Sequence, residues 1–213
     1  MLSANPFSLK QQLAFYGAYH TNKVNVGIHM VCVPLIWMAS LAMVLSTDSS
    51  LATLASKLPD SLSVPATKAL VQLAAALPSW AAPHLNLAAV SALSYLLYYF
   101  ILDPISATLI TPLWFAYYRI SWYIAHDVEG GFRLALICFT VSWILQFYGH
   151  GVHEGRAPAL LDNLLGAVVL APLFVFIETL FLFGYRPELQ KWLKNETARL
   201  IVKFRAENPS KRA

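Results

Sequence analysis

Residues 24–46, VNVGIHMVCVPLIWMASLAMVLS, run for 23 residues without an Asp, Glu, Lys or Arg. An α-helix rises 1.5 Å per residue, so about 20 mostly apolar residues cross the roughly 30 Å of hydrocarbon in a bilayer. Four further windows of similar character follow: His84 to Leu102, Ile105 to Ala125, Phe132 to Gly149 and Leu164 to Gly184. Asp103-Pro104 divides the second window from the third, and Pro lacks the N–H that a helix interior needs, so this pair predicts a tight hairpin at a membrane face.

The rest of the chain agrees with that reading. Of its 213 residues 58% are hydrophobic and 12% charged, with mean hydropathy +0.56, against about 45–50% apolar and 25% charged in soluble domains. This composition excludes a disordered chain. It also speaks against nucleic-acid binding, because the basic residues form a short flank of an apolar body. Tyr185 to Ala213 holds eight Lys/Arg against three Glu, whereas residues 1–184 hold seven against eight acids, so the formal +4 belongs to the tail.

The predicted fold is therefore all-α: a polytopic membrane helical bundle of four to six helices, forming one membrane domain over residues 1–213. Residues 47–83, rich in Ser, Ala, Leu and Pro, read as a loop or insertion carrying an amphipathic helix, or as a marginal extra span at Ala66 to Leu77. Over residues 186–207, Pro187 opens a helix that places Leu189, Trp192, Leu193, Leu200 and Phe204 on one face and basic residues on the other, the pattern of an interfacial amphipathic helix. Its alternative is a solvated helix packed on the body. Lys10 and Lys23 before the first span and the basic tail after the last put both termini on the cytoplasmic side, which requires an even number of crossings. No cleavable signal peptide is expected from residues 1–22, no internal repeat is seen, and Cys32 and Cys138 inside apolar stretches imply no disulfide.

Ionisable groups at membrane depth are costly and point to function. Tyr16, Tyr19, His20, Asn22, Asn25 and His29 make one polar cluster. On one continuous helix His20 and His29, nine residues apart, would point about 180° from each other, so they meet only if the chain bends, for which Thr21-Asn22 and Gly27 are suited. A second cluster holds Gln146, His150 and Glu154 at four-residue steps, with His153 one step aside. Each cluster also has a plain structural reading, as helix-capping histidines or as a Glu154–Arg156 surface pair. His126, beside Asp127 and Glu129, is a ligand if its helix end folds over the clusters and an interfacial histidine otherwise; His84 after Pro83 reads as a helix start. Imidazoles with an optional carboxylate suit Fe(II) or Zn(II), with Fe(II) the usual choice for oxygen chemistry.

The run 15–29, FYGAYHTNKVNVGIH, followed by Val33-Pro34-Leu35, resembles the opening signature of the Mpo-type 2-hydroxy fatty acid dioxygenases of the fungal endoplasmic reticulum. The run 143–163, WILQFYGHGVHEGRAPALLDN, followed by Ala171-Pro172 and Glu178, resembles the second. The likeness covers residues 9–46 and about 95–195 and is weak over Thr47 to Pro83. It implies a multi-pass membrane enzyme that uses Fe(II) and O2 to shorten a 2-hydroxy fatty acid by one carbon in phytosphingosine breakdown.

The family histidines carry over to His20, His29, His126 and His150 as metal ligands, and Glu154 matches a family acid, as ligand or as partner to one. His153 departs from the family pattern and is not assigned as a ligand. Tyr16 is placed in catalysis, positioning oxygen species or substrate, with an interface-belt role as its alternative. Asn25 and Arg156 are placed in substrate binding, Arg156 as a bidentate partner of the carboxylate or else of a lipid headgroup. Two other functions compete: a histidine-box lipid hydroxylase or desaturase, for which six histidines with no adjacent pair are too few, and a membrane organiser or small transporter whose polar clusters only hold helices together.

Overall fold

The structure is a computed structural model that describes residues 5–155 and 165–207, without the side chains of residues 165–167, 204, 205 and 207. Arg156, Asp162, Asn163 and the side chain of Phe204 therefore lie outside the described residues. Within them the secondary structure is helical, with a single isolated bridge in place of any strand. The helices are α1 (Leu9–Tyr19), α2 (Lys23–Leu45), α3 (Leu51–Ser56), α4 (Asp60–Ala76), α5 (Leu87–Leu102), α6 (Pro104–His126), α7 (Gly131–Tyr148), α8 (Ala171–Leu182) and α9 (Pro187–Glu207). Short polar residues start them. Ser8 accepts the Gln11 N–H at the start of α1, Asn22 the Val24 N–H of α2, Ser50 the Thr53 N–H of α3 and Asn86 the Ala89 N–H of α5. Each satisfies one of the donors that a helix N-terminus leaves open.

The all-α bundle is as the sequence predicts, but fewer helices are built to cross a membrane than there are apolar windows. Lys23–Leu45, with mean hydropathy 2.1, and Gly131–Glu154, with 1.4, are long and apolar enough; Val168–Leu182 with Pro187–Lys203 makes a third only if this pair, bent by 117°, counts as one span. The window from His84 loses its first residues to a 3-10 turn at Ala82–His84, leaving the 16-residue α5, about 24 Å long. The window from Leu164 yields only the 12-residue α8 after a π-helical turn. Gly184, at φ +79°, closes α8 in the left-handed conformation that favours glycine.

The chain divides into two compact units. The first holds Met1–Ile36, Tyr98–Ile110 and Thr140–Ala213. In it, α9 packs on α1. Leu189 and Leu193 are buried, a Cβ on Gly17 would come within 2.7 Å of Thr197 Oγ1, and Lys10 Nζ sits 5.2 Å from the Trp192 ring. The apolar stripe of the tail is thus spent on α1, while Lys191, Lys194, Arg199 and Lys203 stay exposed. Asp103, buried at the α5–α6 turn, pairs with Arg186 at 2.8 Å.

The second unit holds Trp37–Leu97 and Thr111–Phe139. Trp114 Nε1–H donates to the Ala92 carbonyl at 2.8 Å and its ring stacks with Tyr95 and Trp37, so α5 and α6 return alongside each other as the expected hairpin. The stretch 47–83 is a helical excursion, α3 packed on α4. Its base is closed by Leu51 N–H to Leu85 O and Leu87 N–H to Ser49 O, both 2.9 Å. Helix α4 runs for 17 residues and leaves Leu62, Val64, Val71 and Leu73 exposed.

Candidate metal centre

The site lies in the first unit, where α1, α2 and the end of α7 converge. Helix α1 stops at Tyr19 and α2 starts at Lys23, so the bend needed to join His20 to His29 falls at His20–Asn22. Glu154 holds that bend. Its Oε1 accepts the Thr21 N–H at 2.8 Å and the Thr21 hydroxyl; its Oε2 accepts the Asn22 N–H at 3.0 Å and Asn25 Nδ2 at 3.2 Å. An ionised carboxylate offers about four lone-pair sites, and all four are used. The charge also sits at the N-terminus of α2, where a helix dipole favours an anion. Glu154 therefore clamps the bend that joins His20 to His29.

His150 comes from the other side. After Tyr148 helix α7 widens into a π-helical turn, Gly149–Glu154, which Gly155 ends at φ +64°. Helices widened in this way occur often at functional sites. Gly149 is needed there: a Cβ at this position would lie 2.4 Å from Asn25 Oδ1.

The three imidazoles meet edge to face, with ring centroids 4.4 Å (His20–His29), 4.9 Å (His20–His150) and 4.8 Å (His29–His150) apart. One ring nitrogen from each lies within 4.8 Å of the others. His20 Nδ1 is 2.8 Å from the Tyr16 carbonyl and His29 Nδ1 is 2.9 Å from the Asn25 carbonyl. A carbonyl only accepts, so in both rings Nδ1 carries the proton and Nε2 keeps its lone pair, the arrangement that orients metal-ligating histidines. His20 Nε2 and His150 Nδ1 are shielded from solvent and have no hydrogen-bond partner among the described residues. Burial, reinforced by His29 and His150, holds the His20 pKa well below its ordinary value, so the ring is neutral.

Metal–imidazole bonds of about 2.0–2.1 Å put three mutually adjacent ligand nitrogens at most about 3.6 Å apart. From separations within 4.8 Å the three histidines reach that span by closing up to about 1.2 Å, and neutral, orphaned nitrogens are what a divalent cation takes up. The residues fit a metal.

Around this group, Tyr16 is buried with its ring stacked on His20 at 3.9 Å and packed against Phe174, and its hydroxyl reaches Glu178 Oε2 at 3.5 Å. Burial and then the Glu178 carboxylate raise the Tyr16 phenol well above its ordinary range. Asn25 is fully buried between Glu154 and Gly149. Glu178, quoted above only as part of a signature, was given no role; a carboxylate inside the apolar run of α8 was the signal that marked it.

His126 is not one of the three. It belongs to the second unit, exposed, with its ring stacked on Trp122 at 4.1 Å and Nδ1–H donating to the Trp122 carbonyl at 2.9 Å. Trp122 also meets His84 at 4.5 Å. His153 lies edge-on to Tyr148 at 5.3 Å.

The chain is similar to known proteins over most of its length. The family model described as "2-hydroxy-palmitic acid dioxygenase Mpo1-like" matches residues 7–182, including the excursion at 47–83. The 2-hydroxy-palmitic acid dioxygenase MPO1 of Saccharomyces cerevisiae is 33% identical over 188 residues, covering 88% of each chain. No solved structure matches. The three-histidine group sits within the matched span, and the chain belongs to the 2-hydroxy-palmitic acid dioxygenase Mpo1-like family.

Proposed function

We propose that the protein is an Fe(II)-dependent dioxygenase of membrane-borne 2-hydroxy fatty acids, which it shortens by one carbon, serving phytosphingosine breakdown at the endoplasmic reticulum. The observation that carries this reading is the group of three imidazoles, ligand atoms within 4.8 Å, in a chain of this family. A merely organising role does not require three imidazole nitrogens to face one point, and their closeness disfavours it. The stoichiometry is self-contained: a 2-hydroxy acid and O2 balance against the shorter acid, carbon dioxide and water, with no external reductant.

His20, His29 and His150 would hold the iron, leaving open positions on it. Bound Fe(II) supplies those positions and the electron chemistry that O2 requires. The protein's own contribution is orientation: backbone carbonyls fix the tautomers of His20 and His29, Glu154 locks the bend between them, and Tyr16 covers one face of His20. The apolar surface of the spanning helices suits an acyl chain.

The test is anaerobic Fe(II) reconstitution of wild type and of His20→Ala and His150→Ala, followed by O2 and 2-hydroxypalmitate. Wild type is expected to bind iron and form pentadecanoic acid, and each variant to lose both. Wild-type protein that binds no iron and makes no shortened acid would sink the reading.

A further inference from the structure

Seven buried side-chain nitrogen or oxygen atoms lack a hydrogen-bond partner among the described residues; His20 Nε2, His150 Nδ1 and Asn25 Oδ1 belong to the site, and Gln146 Nε2 lies four residues before His150. A metal accounts for the first two and leaves the amides unexplained. More than about 90% of buried polar groups are paired in native proteins, and an orphan costs about 1–3 kcal/mol. Two orphans beside one site therefore ask for a ligand.

Asn25 and Gln146 each precede a site histidine by four residues, one helical turn before His29 and His150 and on the same helix face. The Asn25 amide is oriented by chemistry, because its partner Glu154 is a carboxylate that only accepts, so Nδ2 must face it and Oδ1 must face away. That Oδ1 lies where a Gly149 side chain would begin, 2.4 Å from its Cβ position, and so rests on the part of α7 and its π-helical turn from which Gln146 and His150 project. Gln146 is 8% exposed and Asn25 0%.

The pair consists of one open acceptor and one open donor. A carboxylate would satisfy Gln146 and leave Asn25 orphaned; an ammonium would do the reverse. A hydroxyl donates once and accepts twice, and satisfies both. We propose that Gln146, with Asn25, reads the 2-hydroxyl of the substrate and so selects 2-hydroxy acids over unsubstituted fatty acids. This rests on the functional reading above. It adds the basis of selectivity, since a site built to bond a hydroxyl rejects analogues lacking it by as much as about 10⁴-fold.

The test compares wild type with Gln146→Met, similar in size but without the amide, and Gln146→Glu, similar in shape but unable to donate when ionised. In metal-free protein, thermal shifts are read with 2-hydroxypalmitate and with palmitate; in Fe(II)-loaded protein, KM and kcat are read for 2-hydroxypalmitate. Wild type is expected to be stabilised more by the hydroxy acid. Both variants should lose that preference and raise KM at least about tenfold at unchanged iron content, a change of about 1.4 kcal/mol. Gln146→Met should also melt no lower than wild type without ligand, because it removes an unpaired buried donor. Equal shifts by the two acids in wild type, or variants that keep the wild-type preference, would overturn the proposal. If wild type prefers the hydroxy acid but converts none of it, the enzymatic reading fails while the binding comparison still decides the role of Gln146.

Discussion

Asn25 shows how tightly the residues of the site depend on one another. It is fully buried, its backbone carbonyl orients His29, its Nδ2 meets Glu154, and its Oδ1 fills the space that Gly149 leaves. Gly149→Ala would push a methyl group into that oxygen, and overpacking of this kind costs about 1–3 kcal/mol. Gly151, two residues on, has nothing within 4 Å of its Cβ position. Thermal unfolding in detergent should therefore show Gly149→Ala destabilised and Gly151→Ala near wild type; equal behaviour would contradict the contact. His20 gives a second prediction at this scale. Its folded-state pKa lies below the unfolded value of about 6.5, so below that pH the unfolded chain binds more protons and stability falls. Metal-free protein should lose up to about 1.4 kcal/mol per pH unit from this group as pH drops below about 6.5. A melting temperature flat between pH 7.5 and 5.5 would argue against a shielded neutral ring.

Among the elements, the bend between α1 and α2 was legible because nine residues on one helix would set His20 and His29 on opposite sides, and because Thr21-Asn22 suits a turn; Gly27, the other place suited to it, lies inside α2. What closes the bend was not legible. Glu154 meets Thr21 from 133 residues away, and no local pattern encodes that pairing. Helix-period arithmetic aligned Gln146, His150 and Glu154, yet the π-helical turn gives them different tasks, His150 toward the ring cluster and Glu154 onto the start of α2. Hydropathy likewise found α5 and α8 as apolar segments but not their short lengths, which depend on where the turns at Ala82–His84 and Leu165–Leu170 interrupt the helix. Glu154→Gln keeps the shape but removes the charge and makes one amide face a donor. Loss of such a supporting group typically lowers metal affinity about 10–100-fold. Isothermal titration with Fe(II) or Co(II) under argon should show that loss with all three histidines intact; unchanged affinity would mean that the bend holds without the clamp.

Across the whole molecule, the position of the site follows from which helix ends build it. Asn25 and His29 lie in the first two turns of the Lys23–Leu45 span, and His150 and Glu154 lie at the far end of the Gly131–Glu154 span. If both helices cross, one begins where the other ends, and the three-histidine group belongs at a membrane face and not at mid-depth. Two full crossings return the chain to the side where it started, and a hairpin of α5 and α6 adds none or two, so parity stays even unless the bent α8–α9 pair makes a third crossing. If the 117° bend between α8 and α9 keeps this pair from crossing, the tail returns to the same face, where its exposed lysines would be placed to meet anionic headgroups. A cysteine replacing exposed Gly151 at the site and another replacing Val202, 67% exposed on the tail, should then react with a membrane-impermeant maleimide from one and the same side of sealed, oriented vesicles. Labelling from opposite sides would separate the site from the tail by a membrane thickness, and the even count of crossings would have to be given up.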